Sequence, residues 1–147
     1  NGILHGVEEH PNWTIVDRGC ANFTQGEGQT YMENLLSKGT VKDIDVIISE
    51  NDNMIFGAMK ALDRNGKSYG PEGDIIMISF DALHESFENM MAGKLHATVE
   101  SNPLLASTVE TVIEELEAGR EVDKIYNTEE NIYTYENAAD YIDQRKY

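Results

Sequence analysis

Apolar and polar positions along this chain fall into blocks that switch between the helical and the strand period. Ile3, Leu4 and Val7 share one helical face, so residues 1–9 read as the end of a helix that begins mid-element, with no capping signal before it. Trp13–Val16 reads as a short strand after the Pro11-Asn12 turn. The spacing of Tyr31, Met32, Leu35 and Leu36 predicts a helix over Gln25–Lys38, ended by Gly39. Ile44–Ser49 is a continuous apolar run, which predicts a strand buried on both faces. Met54, Ile55, Ala58, Met59 and Leu62 form the inner stripe of a helix over Asp52–Arg64, stopped by Asn65-Gly66.

Farther on, Ile75–Phe80 reads as a second buried strand and Leu83–Met91 as a helix with Leu83, Phe87, Met90 and Met91 inward. His96–Glu100 reads as a strand. Pro103–Ala118 reads as a helix with Pro103 in its first turn and Leu105, Val109, Val112 and Leu116 inward. A short extended piece at Asn131–Thr134 and a last helix over Glu136–Gln144 close the pattern. Strands alternating with helices imply βαβ units, hence an α/β fold with a parallel sheet and helices on both faces. Right-handed crossovers then bring the carboxyl ends of the parallel strands to one edge.

Ligands of open α/β sheets bind outside that edge, so the residues after each strand carry the candidate chemistry. They are Arg18 to Phe23, then Glu50-Asn51-Asp52-Asn53, then Asp81, and Glu100-Ser101-Asn102. Phe23, Asn51, Asp81 and Glu100 are the candidate ligand-binding residues. Carboxylates accept strong charge-assisted bonds from neighbouring hydroxyls, an amide both donates and accepts, and an aromatic ring covers an apolar sugar face. Each has a structural alternative. Asn51 or Asp52 serves equally as a helix cap, as does Asp81, and Ser101 or Asn102 suits the cap of the Pro103 helix. Phe23 also suits a core position under a loop, and Glu100 an exposed edge. The shared edge is what favours the ligand reading.

Composition narrows the partners. Eleven Lys and Arg face 27 Asp and Glu, a formal net charge of −16, which repels phosphate backbones and anionic membranes. Nucleic acid is excluded as a partner on this ground. Cys20 stands alone, so neither an internal disulfide nor a cysteine metal cluster forms. No Gly-rich phosphate loop follows a strand and no G-x-S-x-G elbow occurs. His5 and His10 read as surface residues. An acidic trio of Asp52, Asp81 and Glu100 offers Mg²⁺ a site in a rival reading as an α/β enzyme.

Several runs resemble type I periplasmic binding proteins of sugar ABC transporters, the ribose-, galactose- and galactofuranose-binding receptors above all. Ile48-Ser49-Glu50-Asn51-Asp52-Asn53-Met54-Ile55-Phe56-Gly57-Ala58 is similar to their N-D-x-M-A-x-G-A segment. Ile78-Ser79-Phe80-Asp81 resembles their V-G-F-D strand end. Gly93-Lys94-Leu95-His96-Ala97-Thr98-Val99 with Pro103 resembles their G-K-L-x-A-T-V…P stretch before the hinge. Ala21-Asn22-Phe23-Thr24 and the helix to Leu36 resemble a further segment in register. The resemblance runs over roughly Trp13 to Leu116.

The resemblance implies roles. Phe23 would pack on the sugar ring, Asn51 and Asp81 would bond its hydroxyls, and Glu100 would be preferred to Ser101, which falls where ribose receptors often have Gln. It implies a non-catalytic extracytoplasmic receptor without cofactor or metal, periplasmic or lipoprotein-anchored. Its partners would be a pentose or hexose monosaccharide and a membrane permease of an ABC transporter. It also implies that residues 1–102 form most of a C-terminal lobe lacking its first strand. Residues 103–132 would belong to an N-terminal lobe that is otherwise missing, and 133–147 would return to the first. The chain would then be a truncated or proteolysed receptor. The main rival is the sugar-sensing domain of a transcriptional repressor of the same fold.

Overall fold

The computed structural model describes residues 2–147, so the start of the predicted first helix, at Asn1, lies outside the described residues. Helix α1 (Gly2–Glu9) and helix α2 (Gln25–Lys38) precede strand β1 (Val46–Ile48) and helix α3 (Asp52–Arg64). Strand β2 (Ile76–Asp81), helix α4 (His84–Met91) and strand β3 (Ala97–Glu100) follow. Helix α5 (Ala106–Glu117), strand β4 (Ile132–Thr134) and helix α6 (Ala138–Tyr141) complete the order. The sheet is four-stranded in the order β1-β2-β3-β4. β1–β2 and β2–β3 pair in parallel, whereas β4 runs antiparallel on the β3 edge, with Thr98 opposite Tyr133.

Local chemistry explains the helix ends. Thr24 accepts the Glu27 N–H at the start of α2 (3.3 Å), and Gly39 at φ 73 closes that helix on the Leu35 and Leu36 carbonyls. Asn51 caps α3 by accepting the Met54 N–H at 3.0 Å. Gly28 and Gly57 let α2 and α3 cross closely. A β-carbon on Gly57 would lie 2.6 Å from the Gln29 nitrogen, and one on Gly28 would lie 2.8 Å from the Met54 α-carbon. The helices therefore touch through backbone, with their N-termini at the same end.

The core lies on one face of the sheet. Met77 and Tyr133 meet Ile55, Met59 and Leu62 of α3, Phe87 and Met90 of α4, and Ala138 of α6, with Met32 and Leu35 of α2 behind α3. On the other face, Val46, Ile48, Ile76 and Ile132 are exposed, Ile132 by 65%. β1 is thus covered on one face only, which corrects the expectation of a strand buried on both. α1 buries no residue. α5 also buries none, so Leu105, Val109 and Leu116, predicted to face inward, lie exposed.

Three further expectations are corrected. Met91, at the end of α4 and predicted inward, is exposed. Trp13–Val16 forms no strand, because it pairs with no neighbour and Trp13, Ile15 and Val16 stay exposed. Neither Ser101 nor Asn102 caps the following helix. Asn102 instead accepts the Leu104 N–H at 2.9 Å in a tight turn, and α5 begins only at Ala106 without a side-chain cap.

Candidate functional site

The carboxyl ends of β1, β2 and β3 deliver Glu50, Asp81 and Ser101 to one edge, and the N-terminus of α1 reaches the same place. These residues with Gly2, Ile3 and Phe80 line an open pocket of about 410 Å³. Its lining holds two carboxylates and a hydroxyl beside the Phe80 ring, with no Lys or Arg among them. Such a wall accepts hydrogen bonds from hydroxyls and repels anions.

Asn51 and Asp81 are brought together. Asn51 Nδ2 donates to Asp81 Oδ2 at 2.6 Å while its Oδ1 caps α3. Asn51 itself is only 7% exposed and lies outside the pocket lining, so Asp81 is the member of the pair that lines the pocket. The Asn51 amide thus joins the start of α3 to the Asp81 carboxylate. Asp81 does not cap α4. Its backbone sits at φ 113 and that of Ala82 at φ 62, a strained reversal at the end of β2. The Asp81 carbonyl accepts the Ser101 N–H at 3.4 Å, which ties the two strand ends.

Phe23 is not a core residue. It is 69% exposed on a left-handed backbone, φ 58, next to Asn22 at φ 47. Asn22 Nδ2 donates to Glu27 Oε2 at 2.6 Å and helps hold this loop. Phe23 precedes α2, whose first turns pack against those of α3, and it lies outside the pocket lining.

Glu100 is placed elsewhere. Thr98 and Glu100 share the face that packs on the helices, since side chains alternate along a strand. The Glu100 side chain is 5% exposed and paired with Arg145, itself 7% exposed, at 2.8 Å. Tyr147 donates to Glu100 at 2.7 Å, the Asn131 backbone and side chain each at 3.2 Å, and Tyr133 at 3.3 Å. Burial alone would push the Glu100 carboxyl up, but donation from Tyr147, Arg145 and Asn131 outweighs it and holds the group at about 2. Its acceptor capacity is filled from within, so Glu100 is neither an exposed edge residue nor free for a ligand. The exposed Ser101 takes the place at the rim.

Asp52 is likewise internal. It is fully buried, and it accepts from the Ser79 hydroxyl, from Thr98 Oγ1 at 3.0 Å and from the Leu83 N–H at 2.8 Å. Burial raises its pKa, opposed by these hydrogen bonds. Among the described residues no group of three or more His, Cys, Asp or Glu is placed to hold a metal ion. The acidic trio that suggested Mg²⁺ is thus split between two internal networks and the rim.

Sequence reasoning placed Glu50 at a strand end without selecting it, and it passed over Phe80 and Ile3 as lining residues and Arg145 as an internal partner. Position after β1 signalled Glu50. Nothing local signalled Arg145, which meets Glu100 from 45 residues away.

Residues 1–121 match the model of a family described as "periplasmic binding protein domain". The chain is 26% identical over 147 residues to the galactofuranose-binding protein of Escherichia coli, covering 99% of this chain and 46% of that protein. It is 32% identical over 111 residues to a ribose import binding protein of Bacillus subtilis, covering 75% of this chain and 34% of that protein. A solved arabinose ABC transporter binding component from Shewanella sp. ANA-3, bound to L-arabinofuranose, superposes with a TM-score of 0.91. It is 29% identical, and the match covers 99% of this chain and 48% of that one. The chain thus spans at most about half the length of these relatives.

Proposed function

The chain belongs to the periplasmic binding protein family, and from that premise we propose that it supplies the sugar-gripping wall of a receptor for an ABC importer. The ligand is a neutral monosaccharide, a pentose or hexose, captured reversibly and without chemical change. The carrying observation is the Asn51–Asp81 pair beside an acidic pocket at the strand ends. Glu50 and Ser101 add acceptor and donor groups, and Phe80 and Phe23 add apolar surface for a sugar ring.

Residues 1–102 and 133–147 are proposed to form one lobe and 103–132 part of a second. The exposed apolar face of α5 supports this division. Closure of two lobes over the sugar would bury it and present a surface to the membrane permease, outside the cytoplasmic membrane. No helix among the described residues is long and apolar enough to cross a membrane.

The test is a nitrogen–proton correlation titration of the 147-residue chain with arabinose, ribose and galactose. Shifts clustered at Asp81, Asn51 and Ser101, lost in Asp81→Ala, are expected only at high sugar concentration, because one wall buries too little of the ligand. Micromolar affinity by calorimetry would overturn the two-lobe reading. Absence of any shift near Asp81 would overturn the site.

A further inference from the structure

Asp81 reaches the pocket only because the chain reverses through two left-handed, non-glycine residues, and something must hold that reversal. Ala82 is fully buried at φ 62. Thr98 Oγ1 accepts its N–H at 3.1 Å, and Arg145 Nη2 donates to its carbonyl at 3.0 Å. The two grips come from β3 and from the C-terminal tail, so the turn is clamped on both sides.

Arg145 is itself fixed from several directions. Its Nη1 donates to Glu100 at 2.8 Å and to the Tyr133 hydroxyl at 3.1 Å. Its guanidinium lies 4.5 Å from the Tyr147 ring centroid, 5.0 Å from Tyr133 and 5.2 Å from Phe87. The tail is tied down where the His84 N–H donates to the Tyr147 carbonyl at 2.7 Å. Arg145 Nε is buried without a partner, so the group is placed to serve its Nη contacts rather than to satisfy every donor. A planar fork can reach Ala82 and Glu100 at once, whereas an ammonium is a single point.

We propose that Arg145 is a positioning residue for the ligand site, pinning the Ala82 carbonyl so that the preceding Asp81 carboxylate is held against Asn51 and the pocket. This rests on the reading of Asp81 as a ligand group, but its test needs no sugar. A lost clamp and a lost sugar site therefore give separate failures.

The test is amide exchange and side-chain amide shifts in Arg145→Lys and Arg145→Met, with Tyr147→Phe as control. Tyr147→Phe removes one donor to Glu100 and leaves the Arg145–Ala82 bond. In both Arg145 variants the Ala82 N–H is expected to exchange about tenfold faster or more, as loss of a charge-assisted bond implies. The Asn51 side-chain amide is expected to move to its solvent-exposed shift, while the core amides of α2 and α3 stay protected. In Tyr147→Phe both Ala82 and Asn51 are expected to be unchanged. Folded Arg145 variants with a native Asn51 amide signal would overturn the proposal. So would equal loss in Tyr147→Phe, which would make tail docking alone responsible. If both Arg145 variants fail to fold, exchange of the unaltered chain in low urea decides. Joint opening of the His84 N–H, the Ala82 N–H and the Asn51 amide ahead of the core supports the clamp. Ala82 and Asn51 staying protected after His84 has opened overturns it.

Discussion

Replacing Glu100 by Gln tests the ion pair that, among the described residues, has both partners buried. Glu100 has an ordinary value of 4.5 and is held at about 2 in the fold. That interval corresponds to about 3 kcal/mol favouring the ionised form in the folded state. The unfolded chain binds the proton more readily, so this stability is complete above about 4.5 and fades as pH falls through about 2. Gln keeps the shape but leaves Arg145 buried with no counter-charge, a change that costs about 3–5 kcal/mol in comparable pairs. At neutral pH, Glu100→Gln is expected to lower stability by about 3 kcal/mol, or about 6–12 °C in Tm for a chain of this length. Urea unfolding at a series of pH values checks it. The gap between the two proteins should be constant at neutral pH and should narrow below about pH 4. Other titrating groups are shared and cancel in the difference. A gap that is small at pH 7, or one that does not narrow in acid, would refute the view of Glu100 as an internal anchor.

Asp52 should behave with the opposite sign. Its folded value is raised, so its stabilising share is complete below its ordinary 3.8 and is lost as pH rises through the folded value. Asp52→Asn should therefore gain on the unaltered protein as pH rises from 3 to 7 in the same urea series. Phe23→Gly should relieve a left-handed strain of about 1 kcal/mol, raising Tm, while weakening sugar binding in a two-lobed receptor carrying the change. Gly57→Ala should push α2 off α3 and destabilise by about 1–3 kcal/mol, seen as a lower urea midpoint. His96, lowered by burial, accepts the Met77 N–H through Nδ1 at 3.1 Å. Protonation removes that acceptor, so this stability is present above the ordinary histidine range and is lost as pH falls. In His96→Phe the corresponding slope should disappear.

Much of the architecture was legible because it is written in local periods. The α2 range Gln25–Lys38 and the α3 range Asp52–Arg64 follow from stripes, caps and stop signals within each segment. Order along the chain then implied a mainly parallel sheet, and the rule of strand carboxyl ends pointed to Asn51 and Asp81, which do meet. β1 and Trp13–Val16 were not legible in the same way. Whether an apolar run is covered, or a β-prone run is paired, depends on what packs beside it, and that is a non-local fact.

The sequence by itself determined where α2 and α3 lie, the neighbourhood in which β1, β2 and β3 end, and that the rim would be acidic rather than basic. Only the tertiary structure decided the difference between Glu100 and Ser101. They are neighbours in the chain, but a strand sends successive side chains to opposite faces. One turns inward to a cation 45 residues away, and the next is left at the rim. Likewise no local rule foretold that Ala82 would be gripped by Thr98 and Arg145, since that contact exists only when strand, turn and tail close on one another.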